Sequence, residues 1–157
     1  MADETAYDST GETLAHSRRV GELMVEAILE LSGRSVRHDL SKTREPELAV
    51  FNQYTPRLRT LTYGSEEYRR CLAKMKPALD HHYAHNRHHP EHFADGISGM
   101  TLVDLIEMLA DWKAAGERVA DGSLVRSLKV QRERFAIDDQ LLQILTNTAR
   151  HFGWLDE

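Results

Sequence analysis

Six histidines, His81, His82, His85, His88, His89 and His92, crowd between positions 81 and 92 of a chain that has nine in all. Upstream, an imidazole and a carboxylate stand side by side at His38-Asp39, followed by Leu40-Ser41-Lys42; downstream lie Asp104 and Asp111. Imidazole nitrogens and carboxylate oxygens without thiolates form a donor set for a divalent transition metal, suiting Mn²⁺, Fe²⁺, Co²⁺ or Zn²⁺ better than Ca²⁺. The single cysteine, Cys71, excludes an internal disulfide framework and any zinc site built from several thiolates. No His-Glu-x-x-His run, no Gly-x-x-x-x-Gly-Lys loop and no Gly-x-Ser-x-Gly elbow occurs in the chain.

The elements that must position these groups are helices. Leu14, Val20, Met24, Ala27, Ile28 and Leu31 recur at spacings of three and four, which predicts an amphipathic helix from Glu12 to Leu31 that stops at Gly33. A short helix over Val36–Lys42 and another from Pro46 toward Tyr54, ended by Pro56, are expected next. After a loop around Gly64, Ser65 is an N-cap for a helix whose stripe is Tyr68, Leu72, Met75 and Leu79; Pro77 should kink it and Pro90 end it. Residues Pro90 to Met100 read as a loop, and Thr101 with Asp104 as a capping box for a helix bearing Leu105, Leu109 and Trp112. Helices over 123–134 and 138–152 follow, with Asp138 as N-cap and Gly153 as stop. No segment alternates convincingly, so the expected class is all-α: one helical domain over 1–157, with a core from 12 to 116 and C-terminal helices over 123–153.

A helical wheel at about 100° per residue, centred on Tyr68, divides the histidines: His82 falls about 40° and His89 about 60° off the buried face, and Asn86 near its centre. His81, His85 and His88 fall roughly 100° to 160° away; His81 and His85 are expected at the surface, with His92, whereas a kink at Pro77 can turn the C-terminal half of the helix and leaves His88 open as a replacement for His89. Two imidazoles and an amide on a buried stripe need a shared partner, and a metal is a natural one. Asp104 is accounted for as a cap, whereas Asp111, mid-helix beside Leu109, Ala110 and Trp112, calls for a partner. Cys71 lies near the apolar face and reads as core.

Composition narrows the partners. With 157 residues, 41% hydrophobic and 29% charged, the chain can bury a core. Its 20 Lys and Arg against 25 Asp and Glu leave a net charge of -5, which disfavours polymeric nucleic acid but leaves a small phosphorylated ligand open. No apolar run is long enough for a membrane span, the polar, acidic N-terminus is unlike a signal peptide, and a cytoplasmic location is expected.

The order His16, then His38-Asp39-Leu40-Ser41-Lys42, then histidines on a long helix, then Leu109-Ala110-Asp111-Trp112 resembles the HD-domain superfamily of metal-dependent phosphohydrolases, over roughly Leu14 to Ala115. The block from His81 to Phe93 is most like a little-characterised bacterial and phage branch of it. The resemblance implies an all-α fold with His16, His38, Asp39 and Asp111 as core metal ligands, and His82 and His89 as candidates for a second ion. It implies hydrolysis of a nucleotide or other small phosphoester by metal-activated water, with one or two ions of Mn, Fe, Co or Zn. Asp39 and Lys42 are then the catalytic candidates, and Lys42, Arg18, Arg19 and Arg87 the phosphate contacts. Glu45 or Glu107 would serve as general base or support a ligand. A di-iron oxygenase of the same superfamily and a non-catalytic metal-binding module remain alternatives, and pairing into a homodimer is open.

Overall fold

A computed structural model describes residues 7–62, 65–118 and 122–155 and is helical throughout, with no strand among them. The expected all-α class therefore holds; the loop expected around Gly64 lies outside the described residues. The chain divides into two compact units, Met1–Val36 and Arg37–Glu157.

The first unit consists, in its described part, of most of helix α1 (Thr10–Arg37), 28 residues long. It continues through Gly33, which had been expected to stop it, because glycine inside a helix costs only about 1 kcal/mol relative to alanine and does not by itself break it. The residues expected to start a separate helix at Val36 are instead the last turn of α1, and Leu40–Thr43 forms a 3₁₀ turn.

The second unit contains α2 (Glu47–Leu58), α3 (Glu66–His85), α4 (Leu102–Gly116), α5 (Leu124–Phe135) and α6 (Asp139–His151). Helix α2 runs past Pro56, which removes one N–H close to the helix end without ending the helix. Helix α3 likewise spans Pro77, and the Ser65 hydroxyl accepts from the Tyr68 N–H at its start, as the sequence predicts. It ends at His85, five residues before Pro90. Asn86 adopts an extended conformation there, and its side-chain amide donates to the His82 carbonyl at 2.8 Å, capping a C-terminal oxygen that a further helical N–H would otherwise bond. The chain from Pro90 to Met100 is not a plain loop, since it holds 3₁₀ turns at Pro90–His92 and Gly96–Gly99.

Helix α4 opens on the expected capping box of Thr101 and Asp104. Helix α6 is capped by Asp138, whose carboxylate accepts from the Leu141 N–H at 2.8 Å. It closes in a Schellman arrangement: Trp154 N–H donates to the Ala149 carbonyl and Gly153 N–H to that of Arg150, with Gly153 at φ 67°, where glycine carries no Cβ penalty. Met108, Leu109 and Trp112 of α4 pack with Leu124 and Leu128 of α5, Ile137, and Leu145 and Ala149 of α6. Each of these larger apolar side chains contributes roughly 1.5–3 kcal/mol on burial. On α3, Cys71, Met75 and Ala78 are buried, so Cys71 is core as expected, and α3 lies along α2 and against the Leu40–Thr43 turn. Thus α3, α4 and the chain between α1 and α2 converge, and the histidines and acids of the sequence lie on these segments.

Candidate metal centre

Asp39 sits where α1 gives way to the 3₁₀ turn, and its backbone is left-handed at φ 59° and ψ 8°. An L-residue other than glycine is uncommon there, and aspartate and asparagine tolerate it best. This conformation sets the carboxylate among imidazoles from the end of α3 and the turn that follows. Its Oδ1 lies 3.2 Å from His82 Nε2 and 3.4 Å from His88 Nε2, and His82 Nε2 lies 3.0 Å from His89 Nε2. One donor atom from each of Asp39, His82, His88 and His89 fits within 4.8 Å of the others. A metal binding nitrogen and oxygen at about 2.0–2.2 Å would hold neighbouring ligand atoms roughly 3–3.5 Å apart, matching these contacts.

Hydrogen bonding separates this group from an ordinary polar cluster. Asp39 Oδ1 and His88 Nε2 are both buried and make no hydrogen bond. Buried polar atoms are nearly always satisfied, so two orphans facing each other in one cluster of ligand-type groups fit a site for a cation. The outer nitrogens, in contrast, are well served. His82 Nδ1 lies 2.9 Å from Glu47 Oε2, and His38 Nδ1 and His88 Nδ1 lie 2.9 and 3.3 Å from Glu107 Oε1. A carboxylate taking the Nδ1 proton of a histidine fixes the tautomer and leaves the Nε2 lone pair for a metal.

A second group adjoins the first. His38 Nε2 lies 3.7 Å from Asp39 Oδ2 and 3.6 Å from Asp111 Oδ1, giving three donors that share the Asp39 carboxylate with the four-donor group. Cations already attend this side. Lys42 Nζ is 2.6 Å from Asp39 Oδ2 and 5.2 Å from the centre of the Phe51 ring. The residues present therefore fit one ion at the nitrogen-rich group, and the three donors beside it form an oxygen-richer group that could take a second.

Electrostatics sharpens the difference between the two groups. Burial, reinforced by neighbouring His88 and His82, pushes His89 down to about 3, so it is neutral and available as a ligand at neutral pH. Asp111 and Glu107 raise His38 to about 10, so it is protonated when no metal is bound. Burial opposes ionisation of Asp39, yet the neighbouring His82 and His88 rings and its bond to Lys42 outweigh that and hold it below the usual carboxylate range. Asp111 is also held low, the His38 bond outweighing its burial. Filling the second group must displace the His38 proton, so metal uptake there is expected to release about one proton per ion and to tighten about tenfold per pH unit below pH 10. Titration calorimetry in buffers of different ionisation enthalpy measures the release; heats independent of buffer would contradict it.

The structure brings together His38, Asp39, Lys42, His82, His89 and Asp111, all singled out in the sequence. It also adds His88, which the sequence leaves open as a replacement for His89 and which is only 2% exposed, so that both imidazoles join the group. The wheel fails because α3 ends at His85, so His88 and His89 lie in a turn where helical angles no longer apply. His85, exposed, donates from Nδ1 to the His81 carbonyl, while His81 and His92, expected at the surface, are half-buried. Arg87, expected as a phosphate contact, bonds Asp104 instead in this structure, with Nε and one terminal nitrogen each 3.0 Å from a carboxylate oxygen, and lies over the Phe93 ring. His16, Arg18 and Arg19 belong to the first unit, where Arg19 pairs with Glu22. Glu45 is exposed and belongs to neither donor group, whereas Glu107 supports two ligands.

Glu47 escaped the sequence reading. It is fully buried and bonds His81, His82 and the Ser41 hydroxyl. Its signal was available, since Glu47 shares a helical face with Phe51 and Tyr54, where an acid needs a partner. Removing its charge in Glu47→Gln is expected to weaken metal binding about 10–100-fold with the fold retained, read by chelator competition and circular dichroism. Wild-type affinity in that variant would show that His82 needs no carboxylate behind it.

No curated protein and no solved structure matches the chain. A family model does match residues 5–151, nearly its whole length, and the chain therefore belongs to DUF5662, a family of unknown function.

Proposed function

We propose that this protein is a metal-dependent phosphohydrolase of the HD-domain type acting on a nucleotide or other small phosphoester. The observation that carries the metal is the pair of orphaned buried donors, Asp39 Oδ1 and His88 Nε2, set among His82 and His89. The phosphoester rests on Lys42, a cation against the Asp39 carboxylate at the edge of the cluster. A bound divalent ion supplies a water made acidic enough to attack phosphorus and polarises a phosphoryl oxygen.

The chain's own residues prepare the rest. His82, His88, His89 and Asp39 Oδ1 form the nitrogen-rich group, and His38, Asp39 Oδ2 and Asp111 the three-donor group, which leaves positions for water and substrate. Glu47 and Glu107 hold the imidazoles in the tautomer that presents Nε2. Lys42 can exchange its bond to Asp39 for one to a phosphoryl oxygen, contributing a positive charge where the substrate is most negative.

Elemental analysis of the purified chain, followed by a screen of nucleotides and small phosphoesters with added Mn²⁺ or Co²⁺, tests the proposal. About one or two ions per chain and phosphate release under strictly anaerobic conditions are expected, because hydrolysis consumes no dioxygen. Bound metal with turnover only in air would replace hydrolysis by oxidation, and a metal-free chain with no affinity for added ions would remove the assignment altogether.

A further inference from the structure

A second pocket lies beside the metal centre. Arg37, at the end of α1, joins Leu40 and Ser41 of the 3₁₀ turn, Arg44, and His85 and Asn86 at the end of α3 in lining a pocket of about 340 Å³. No acidic side chain lines it. Neither guanidinium has an ion pair or side-chain hydrogen bond among the described residues, although the protein carries more acidic than basic groups overall. Two arginines at one pocket can bring positive charge to it, each a planar fork suited to tetrahedral or planar oxyanions. His85 Nδ1 is engaged by the His81 carbonyl, so any donation from this ring to a ligand must come from Nε2.

The pocket is distinct from the metal centre. Ser41 Oγ and Asn86 Nδ2 lie 3.1 and 3.0 Å from His82 Nδ1, whereas Nε2 of the same ring faces Asp39 and His89. One imidazole thus separates the two sites. We propose that the Arg37–Arg44 pocket binds the phosphate group of a small molecule other than the one held at the metal centre. The volume, at the low end for ligand pockets, suits a phosphate with a small attached group. Because Ser41 and Asn86 line the pocket and also contact His82, the ligand would lie beside a metal-binding histidine.

Inorganic phosphate is the probe. Calorimetric titration of the full chain is expected to show binding that weakens about tenfold or more in the double variant Arg37→Gln/Arg44→Gln, since each arginine contributes a charge-assisted bond. His85→Ala should weaken it less, and Lys42→Ala should leave this binding event in place. Metal per chain, measured on the same samples, is expected to be unchanged in the arginine variant, so failure of the metal assignment and failure of the pocket give separate readings. Undiminished phosphate affinity in the double variant, or loss in Lys42→Ala alone, would place the phosphate at the metal centre and overturn the proposal.

Discussion

Asp39→Ala is expected to lose bound metal almost completely, with affinity falling by at least about 100-fold, more than the loss of a supporting hydrogen bond produces. The carboxylate is the one group common to both donor sets, Oδ1 facing three imidazoles and Oδ2 facing His38 and Lys42. Its removal leaves the inward-facing Nε2 atoms of His82 and His88 without the carboxylate between them and Lys42 without its partner. Because Asp39 is left-handed at φ 59°, alanine also adds backbone strain of about 1–2 kcal/mol that has nothing to do with metal. Asp39→Gly separates the two effects: it relieves the strain yet brings no ligand. Both variants are expected to be metal-free and inactive, with the glycine variant the more stable, as thermal unfolding in chelator would read. Asp39→Asn tests charge alone. It keeps one oxygen and the fold, and is expected to retain some of the metal but far less than the wild type. Full metal content in Asp39→Ala would remove the centre from this carboxylate.

Part of this arrangement is legible in the sequence, and the rest depends on contacts between elements. His38-Asp39 and Asp111 stood out because an imidazole beside a carboxylate, and an acid in an apolar helical face, both demand partners. The wheel leaves His88 open rather than placing it, because helical angles hold only while the helix continues and α3 ends at His85. What ends α3 is the Asn86 side chain bonding the His82 carbonyl, a local interaction with no periodic signature. Gly33 and Pro56 misled in the opposite direction: each carries a real local penalty, and neither is large enough to stop a helix. Glu47 was overlooked because an acid in the first turn is so often just a favourable partner for the helix dipole. Its burial against two histidines depends on α2 lying along α3, which no pattern within α2 announces. The Thr101–Asp104 box was predicted correctly as a cap, but the second partner of Asp104 was not, since Arg87 lies 17 residues upstream.

That pairing makes Asp104→Ala the expected change with the largest effect on stability. Asp104 is fully buried, and its carboxylate accepts from the Thr101 N–H and hydroxyl, both at 2.8 Å, and from two nitrogens of Arg87. Losing the cap alone costs about 1 kcal/mol. Breaking a buried ion pair by removing one partner costs about 3–5 kcal/mol, but Arg87 is 45% exposed and can turn to water, which reduces that share. Together these give an expected loss of about 2–4 kcal/mol in denaturant unfolding. Arg87→Lys should rescue little, because a point charge cannot reproduce two parallel bonds to one carboxylate. The effect should reach the metal as well. Arg87 precedes His88 directly, and Asp104 stands on α4 three residues before Glu107 and seven before Asp111. The Arg87–Asp104 pair therefore pins the turn that carries His88 and His89 to the helix that carries Glu107 and Asp111. Releasing it should loosen metal binding by about tenfold even in chains that remain folded, a smaller effect than losing a ligand. A double variant with Arg87→Ala should cost less than the sum of the two single changes, since both remove the same pair. Unaltered metal affinity together with strict additivity would show that the pair supports the fold without holding the site.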